Sequence, residues 1–231
     1  MEVADYLREA GVADAAVLEK FERYAALLLA ANEQINLTAI TDKQGIAWKH
    51  FYDSIKVLEY AGVPQGTALI DIGTGAGFPG VPMKTVRPDL RLTLLDSLRK
   101  RTAFLAALSE ALGQENRIVH ARAEDYGRDG SAREQFGAAT SRAVAPLRIL
   151  CEYCLPFVRP GGVFLALKGG DVAEELAEAR RALTELGGEC TGVESYALPN
   201  FDRRSLVVIK KISQTPAKYP RIPAKITKVP L

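Results

Sequence analysis

The chain has 231 residues, 48% apolar and 25% charged, with a net charge of +2. These values fit one globular domain with an extension and a sizeable buried core. They leave no room for a membrane span, since the longest apolar run is only Tyr24–Ala31. The acidic opening Met1–Asp5 lacks a secretory pattern, and Cys151, Cys154 and Cys190 form no disulfide framework, so a cytoplasmic location is expected. Charge is uneven along the chain. Arg203–Leu231 holds eight basic residues and no acidic one, and the 22 basic and 28 acidic residues before it leave the body at −6. A basic end on a mildly acidic body predicts a polyanionic partner or a solubilising tail.

In residues 14–36, Val17, Phe21, Tyr24, Leu28, Ala31 and Ile35 recur at helical spacing and predict an amphipathic helix that needs a surface to pack on. Asn36–Thr41 breaks this pattern. Thr41 with Gln44 fits a capping box for a second helix to about Tyr60, with Phe51, Ile55 and Leu58 inward. Gly62, Pro64 and Gly66 mark the loop that follows. From residue 67 the pattern alternates. Strands are predicted at 67–72, 91–95, 117–121, 137–142, 162–168, about 192–197 and 204–211, and helices at 79–86, 98–112, 145–157 and 171–186. Such alternation gives an α/β fold, a parallel sheet with helices on both faces. Only Pro199–Asp202 separates the last two strands, so they should pair as an antiparallel hairpin at the sheet edge. The stretch Thr215–Leu231, with four prolines and no periodicity, is expected to be irregular. The expected organisation is a helical extension (1–62), an α/β core (63–213) and a basic tail (214–231).

The densest signal is Ala68–Gly80, where a short apolar run meets four glycines within eight residues and then a helix start. Strand, glycine turn and helix N-terminus together form a nucleotide-type cofactor site. The glycines stand at 73, 75 and 77, so the dinucleotide fingerprint fails where Phe78 replaces its last glycine. Asp71 precedes the turn. A carboxylate there suits the sulfonium and amino groups of S-adenosylmethionine (SAM) and would repel a pyrophosphate. The acidic residue followed by G-x-G-x-G resembles the SAM motif of class I methyltransferases, whose Rossmann-like seven-stranded sheet also ends in an antiparallel hairpin. Asp96, 19 residues after Gly77, stands at the next strand tip, where an acidic residue accepts ribose hydroxyls or caps the following helix.

Arg99, Lys100 and Arg101 open that helix, where the macrodipole disfavours cations. A local rule broken three times in a row suggests an anion site for RNA phosphate, against a reading in which the side chains only reach solvent. Ala123 and Glu124 follow the third strand and are placed to bracket an adenine, with Arg122 beside them as a further RNA candidate. Ser141-Arg142-Ala143 follows the fourth strand, where Arg142 is placed to orient the methyl acceptor or meet the cofactor carboxylate. Lys168, Arg203 and Arg204 continue a basic rim or are ordinary surface charges. The Cys151/Cys154 pair lies in a helix without a second ligand pair, so no metal is expected.

Several strings resemble one family: Asn36–Ile40, His50–Ser54, Asp71–Gly80 with its Gly-Phe-Pro-Gly ending, Leu94–Arg101, Ser141–Ala143, Leu165–Gly169 and Lys218–Arg221. They are similar to the bacterial ribosomal RNA small-subunit methyltransferase G family, also called glucose-inhibited division protein B. The resemblance runs from about residue 20 to the C-terminus. It implies methyl transfer from SAM to N7 of one guanine in small-subunit (16S) ribosomal RNA, leaving S-adenosylhomocysteine. It also implies cofactor contacts at Gly73, Phe78, Asp96, Ala123, Glu124 and Arg142 and a ribosomal partner; a monomer is expected, although the sequence itself carries no signal for oligomeric state. N7 has a free lone pair, so no general base is required and Arg142 would act by orientation. A donor on N7 would block that lone pair, so Arg142 is expected on O6 or a phosphate. A methyltransferase for another substrate, a non-catalytic RNA-binding factor and a nicotinamide dehydrogenase are the competing readings of the residues.

Overall fold

The computed structural model describes residues 1–142 and 144–231. Helix α1 (Val3–Glu9) packs on α2 (Ala15–Ile35), whose first amides are capped by the Asp14 carboxylate. α2 ends where Asn36 turns left-handed, at φ 46°, a conformation asparagine tolerates better than most residues. The second helical stretch differs from the expectation. Asp42 rather than Thr41 is the cap, accepting the Gly45 amide at 2.7 Å. The stretch is also not one regular helix. α3 (Lys43–Gly45) runs into a π-helical segment, Ile46–Tyr52, followed by α4 (Asp53–Lys56) and α5 (Leu58–Ala61). Phe51 is fully buried, and Ile55 and Leu58 pack against the same core.

Seven strands follow: β1 (Ala68–Ile72), β2 (Arg91–Asp96), β3 (Arg117–His120), β4 (Phe136–Arg142), β5 (Val158–Gly169), β6 (Gly188–Ala197) and β7 (Arg203–Lys211). The connecting helices are α6 (Gly80–Val86), α7 (Arg99–Ala111), α8 (Ala123–Tyr126), α9 (Leu147–Cys154) and α10 (Ala173–Leu186). The sheet order is β3-β2-β1-β4-β5-β7-β6, parallel through β5, with β7 antiparallel to both of its neighbours. The expected α/β sheet and its terminal hairpin are therefore present.

Side chains alternate across a strand, and here the alternation sorts them into two cores. Leu69, Ala138, Leu165 and Leu206 meet Phe21, Leu28 and Phe51 on one face, while Ile70, Ala139, Phe164 and Val207 meet Leu150, Ala182 and Leu186 on the other. The N-terminal helices thus share a core with the sheet. Strand order reverses between β1 and β4, and this opens a crevice at the carboxyl ends of the strands, where ligands bind in open α/β sheets.

The C-terminal tail is largely irregular, as expected, but it is ordered and packed rather than free, and it holds one short helix. It docks behind α8, α9 and α10 and forms α11 (Pro223–Lys228), with Tyr219, Ile226 and Leu231 buried. Polar clamps hold it. Arg133 donates to the carbonyls of Gly127, Thr215, Pro216 and Tyr219, and Arg221 forks onto Glu152 at 2.7–3.1 Å. Lys211, fully buried, donates to Glu134, Thr215 Oγ1 and the carbonyls of Leu155 and Val158. Widely spaced anchors of this kind leave no period to read.

Candidate functional site

The glycine turn at the tip of β1 is closed upon itself. Gly73, Gly75 and Gly77 have φ of 68°, 59° and 105°, conformations that side chains with a Cβ rarely adopt. A Cβ on Gly77 would lie 2.5 Å from Tyr24 Oη, and one on Gly73 would lie 2.7 Å from Val144 Cγ2. The Gly73 and Thr74 amides donate to Leu95 O, Gly75 to Asp96 Oδ2, and Gly77 and Phe78 to Thr74 O. Beneath them Asp71 is fully buried. Its Oδ2 accepts from Thr74 Oγ1 at 2.7 Å and the Gly80 amide at 2.9 Å, and its Oδ1 has no hydrogen-bond partner. Burial pushes the Asp71 carboxyl up to about 6, against the opposing pull of those hydrogen bonds and of Arg142.

A cavity of about 190 Å³ opens in front of this turn. It is lined by Gly73, Asp96, Ala123, Glu124, Arg122 and Tyr153, with Val144 at its edge. Gly73, Asp96, Ala123 and Glu124 are thus brought together as the sequence suggested. The Asp71 and Phe78 side chains are buried and do not line this cavity. Gly75 and Gly77 shape the same turn without lining the cavity. Asp96 is 3% exposed and accepts the Gly75 and Leu98 amides. Leu98, not Asp96 or Ser97, is the cap residue of α7. Glu124 Oε1 is buried without a hydrogen-bond partner, its nearest cation being Arg122 at 4.0 Å.

This donor set tests what the cavity can hold. A pyrophosphate needs free amides at a helix N-terminus. Here five turn amides are spent internally, and the Asp71 carboxylate already sits on the Gly80 amide that opens α6. The wall instead presents the carboxylates of Asp96 and Glu124. Carboxylates accept the hydroxyl and amino donors of an adenosine-type ligand and favour a cationic centre. The residues therefore fit SAM and not a dinucleotide.

Across the tip of β4 lies a second cavity of about 360 Å³, lined by Ile40, Lys49, His50, Asp53, Arg142, Leu167, Lys168, Gly169 and Arg204. Arg142 is its hub. Its Nη1 lies 3.1 Å from both Lys49 O and Asp53 Oδ2, and its guanidinium sits 5.0 Å from the Phe78 ring centroid. Asp53, 2% exposed, also accepts the Tyr196 hydroxyl at 2.8 Å and faces Arg204 at 3.7 Å. His50 stacks on Phe78, whose other neighbour is Tyr24. Arginine only donates, so His50 Nδ1, 3.4 Å from Arg142 Nη2, is an acceptor and Nε2–H points at Thr38 Oγ1, 2.8 Å away. Burial, reinforced by the Arg142 charge, holds His50 neutral, with its pKa down to about 3. None of His50, Asp53 or Tyr153 was singled out from the sequence as a site residue.

The basic candidates separate. Arg99, Lys100 and Arg203 are exposed, and Arg101 and Arg122 stand beside Asp96 and Glu124 at the first cavity. Arg142 and Arg204 meet in the second. Lys168 lines that cavity as well, but its ammonium is spent on Ala145 O at 2.9 Å and Glu175 at 2.6 Å. It is therefore a clamp on the segment after β4 rather than a free RNA contact. Ala143 lies outside the described residues. Cys151 and Cys154 are core residues, and burial pushes the Cys151 thiol up to about 12. Among the described residues, no group of three potential metal ligands gathers, and no helix is long and apolar enough to cross a membrane.

Comparison with known proteins agrees with this geometry. A Streptomyces coelicolor geranyl diphosphate C-methyltransferase, solved with S-adenosyl-L-homocysteine, superposes with a TM-score of 0.54 at 12% identity, covering 70% of this chain and 79% of that one. That likeness concerns the fold. Relatives named ribosomal RNA small subunit methyltransferase G are much nearer in sequence. The one from Lactococcus lactis is 47% identical over 206 residues, covering 88% of this chain and 87% of its own. The one from a Thermoanaerobacter species is 48% identical over 216 residues, covering 93% and 90%. A family model described as rRNA small subunit methyltransferase G matches residues 17–206. On its fold, its cofactor turn and these matches, the chain belongs to the rRNA small subunit methyltransferase G family.

Proposed function

We propose that this protein transfers a methyl group from SAM to N7 of a guanine in small-subunit (16S) ribosomal RNA, acting as a cytoplasmic monomer. The observation that carries the reading is the pairing of two cavities across the β4 tip. One has a carboxylate wall and a closed glycine turn; the other is rimmed by Lys49, Arg142 and Arg204. SAM, when bound, supplies an electrophilic methyl group. The chain's own residues then have only to hold and align. Asp96 and Glu124 accept donors of the cofactor, while Gly73 lets it approach the backbone. Arg142, braced by Asp53 and the Lys49 carbonyl, presents a fixed cation at the opposite side. Alignment alone is a substantial source of rate.

Among the described residues, none that lines the second cavity is poised to remove a proton. His50 is spent on Arg142 and Thr38, and Asp53 on Arg142 and Tyr196. That suits guanine N7, which attacks with a free lone pair. In this reading residues 1–62 are a helical unit that supplies His50 and Asp53, 63–213 the methyltransferase core and 214–231 a docked tail. Calorimetry with SAM and NAD, followed by methyl transfer to intact small subunits, naked ribosomal RNA and tRNA, tests it. SAM binding with transfer to one of the first two substrates is expected. NAD binding, or SAM binding without transfer to any RNA, would refute it.

A further inference from the structure

The β6–β7 hairpin ends in Phe201, a side chain the proposed chemistry does not use. It is 86% exposed, the most exposed of the large apolar side chains among the described residues. Its backbone is also unusual, with φ 65°. That left-handed conformation is a true outlier for a bulky residue, whereas glycine or asparagine takes it with little strain. The chain places Asn200 one position away and Phe201 at the strained one. An aromatic ring held in water on a disfavoured backbone breaks two local rules at once, and such violations concentrate at functional sites.

The tip is firmly built. The Leu198 amide donates to Asp202 O at 3.0 Å and the Phe201 amide to Leu198 O at 2.8 Å. Asp202 then pairs with Lys49 at 2.9 Å and lies 3.8 Å from Arg204. Lys49 and Arg204 both line the 360 Å³ cavity, so these ion pairs fix the tip to the cavity's rim. Arg204 also borders a trough of about 410 Å³ that runs along the hairpin past Arg203, Ser195, Tyr196 and Val193. The tip that carries Phe201 is therefore continued by Arg203 and Arg204, and Lys49, held by Asp202, stands on the cavity rim.

We infer that Phe201 is a stacking platform for an unpaired RNA base beside the target nucleotide, with Arg203 on the adjoining phosphate. The inference rests on the RNA reading proposed above. An aromatic face offered beside arginines matches how proteins hold single-stranded RNA, because every base has a face to stack. A protein partner would call for a continuous apolar patch, and the two residues adjoining Phe201 in the chain, Asn200 and Asp202, are polar and charged.

The test compares wild type with Phe201→Ala, Phe201→Gly and Phe201→Trp, using a fluorescent single-stranded fragment of small-subunit ribosomal RNA. Phe201→Gly keeps the left-handed backbone without strain and guards against misfolding of the tip. Loss of one stacked base should weaken RNA affinity about 5- to 150-fold in the Ala and Gly variants. Phe201→Trp should retain wild-type affinity, and SAM affinity should be the same in all four proteins. The salt dependence of binding should also be unchanged, since no cation is removed, whereas Arg203→Ala should lower its slope by roughly 0.7. Wild-type RNA affinity in the Ala and Gly variants would overturn the stacking role while leaving the RNA reading intact. Normal affinity for RNA with loss of activity only on assembled subunits would assign Phe201 to a ribosomal protein and overturn it as well. Failure of the wild type to bind either this fragment or intact small subunits would overturn both readings.

Discussion

Lys211 and Arg221 belong to the same basic C-terminal stretch as Arg203, yet the fold uses them in opposite ways. Lys211 is fully buried among Glu134, Thr215 and two carbonyls, and Arg221 forks onto Glu152, itself 1% exposed. Arg203, like Arg99 and Lys100 near the cofactor cavity, stands in solvent. The first group fastens the tail to the body, and the second is free to meet a polyanion. A charge count treats them alike. What separates them is whether a carboxylate or carbonyl already occupies each donor, because a buried cation needs such partners to be tolerated at all.

The largest expected effect on this contrast comes from Lys211→Met. Removing one member of a buried, hydrogen-bonded pair should destabilise the fold by about 3–5 kcal/mol in urea denaturation. RNA affinity of the protein that remains folded should be unchanged. Arg221→Ala should follow at about 2–3 kcal/mol, since it leaves the Glu152 carboxylate buried without its charged partner. Limited proteolysis should then cut first within residues 216–231. A cost below about 0.5 kcal/mol for either variant would place these cations with the solvated group.

Arg142 also sharpens the contrast, through its neighbour. His50 is held near 3 in the folded protein, against 6.5 for an ordinary histidine. Between those values the unfolded chain binds the extra proton, so the His50 contribution to stability is complete above 6.5 and is lost as pH falls towards 3. Between about pH 7.5 and about pH 5.0 the wild type should lose about 2 kcal/mol more than His50→Phe, the slope approaching about 1.4 kcal/mol per pH unit below the unfolded value. Parallel pH profiles for the two proteins would contradict the buried, neutral imidazole.

The smallest effect on stability is expected at the exposed rim. Lys100→Glu should change the unfolding free energy by no more than about 0.5 kcal/mol. It should nevertheless weaken RNA binding, lower its salt slope by at least roughly 0.7 and leave SAM affinity intact. An unchanged slope would remove Lys100 from the RNA surface.

Much of the fold was legible because its signals are local and repeated. Alternating strands and helices from residue 67, the closely spaced Gly73, Gly75 and Gly77, and the short Pro199–Asp202 link each carry their own geometry. The gathering of Gly73, Asp96, Ala123 and Glu124 around one cavity was legible for the same reason, each residue sitting at or just after a strand tip. Asp71 was legible as a carboxylate belonging to the turn, but not its bonding to Thr74 and the Gly80 amide, which only the folded turn creates. His50 and Asp53 were illegible as site residues because the groups they meet, Arg142 and Tyr196, lie about 90 residues or more away in sequence and only the fold brings them together. The tail hid its order because Tyr219, Arg221, Ile226 and Leu231 dock singly, with no period between them. Lys168 reads as a rim cation until Glu175, brought beside it by the fold of α10, occupies its ammonium.

The most direct test of the central claim is to identify the methylated atom after reaction of small subunits with isotopically labelled SAM. Nuclease digestion followed by mass spectrometry of the ribosomal RNA identifies it. The account predicts a single labelled guanine carrying the methyl at N7, the atom a site built for alignment without a poised base can use. Label at an exocyclic amine, at N1 or at a ribose hydroxyl would contradict it, because each of those atoms must give up a proton that neither His50 nor Asp53 is free to take.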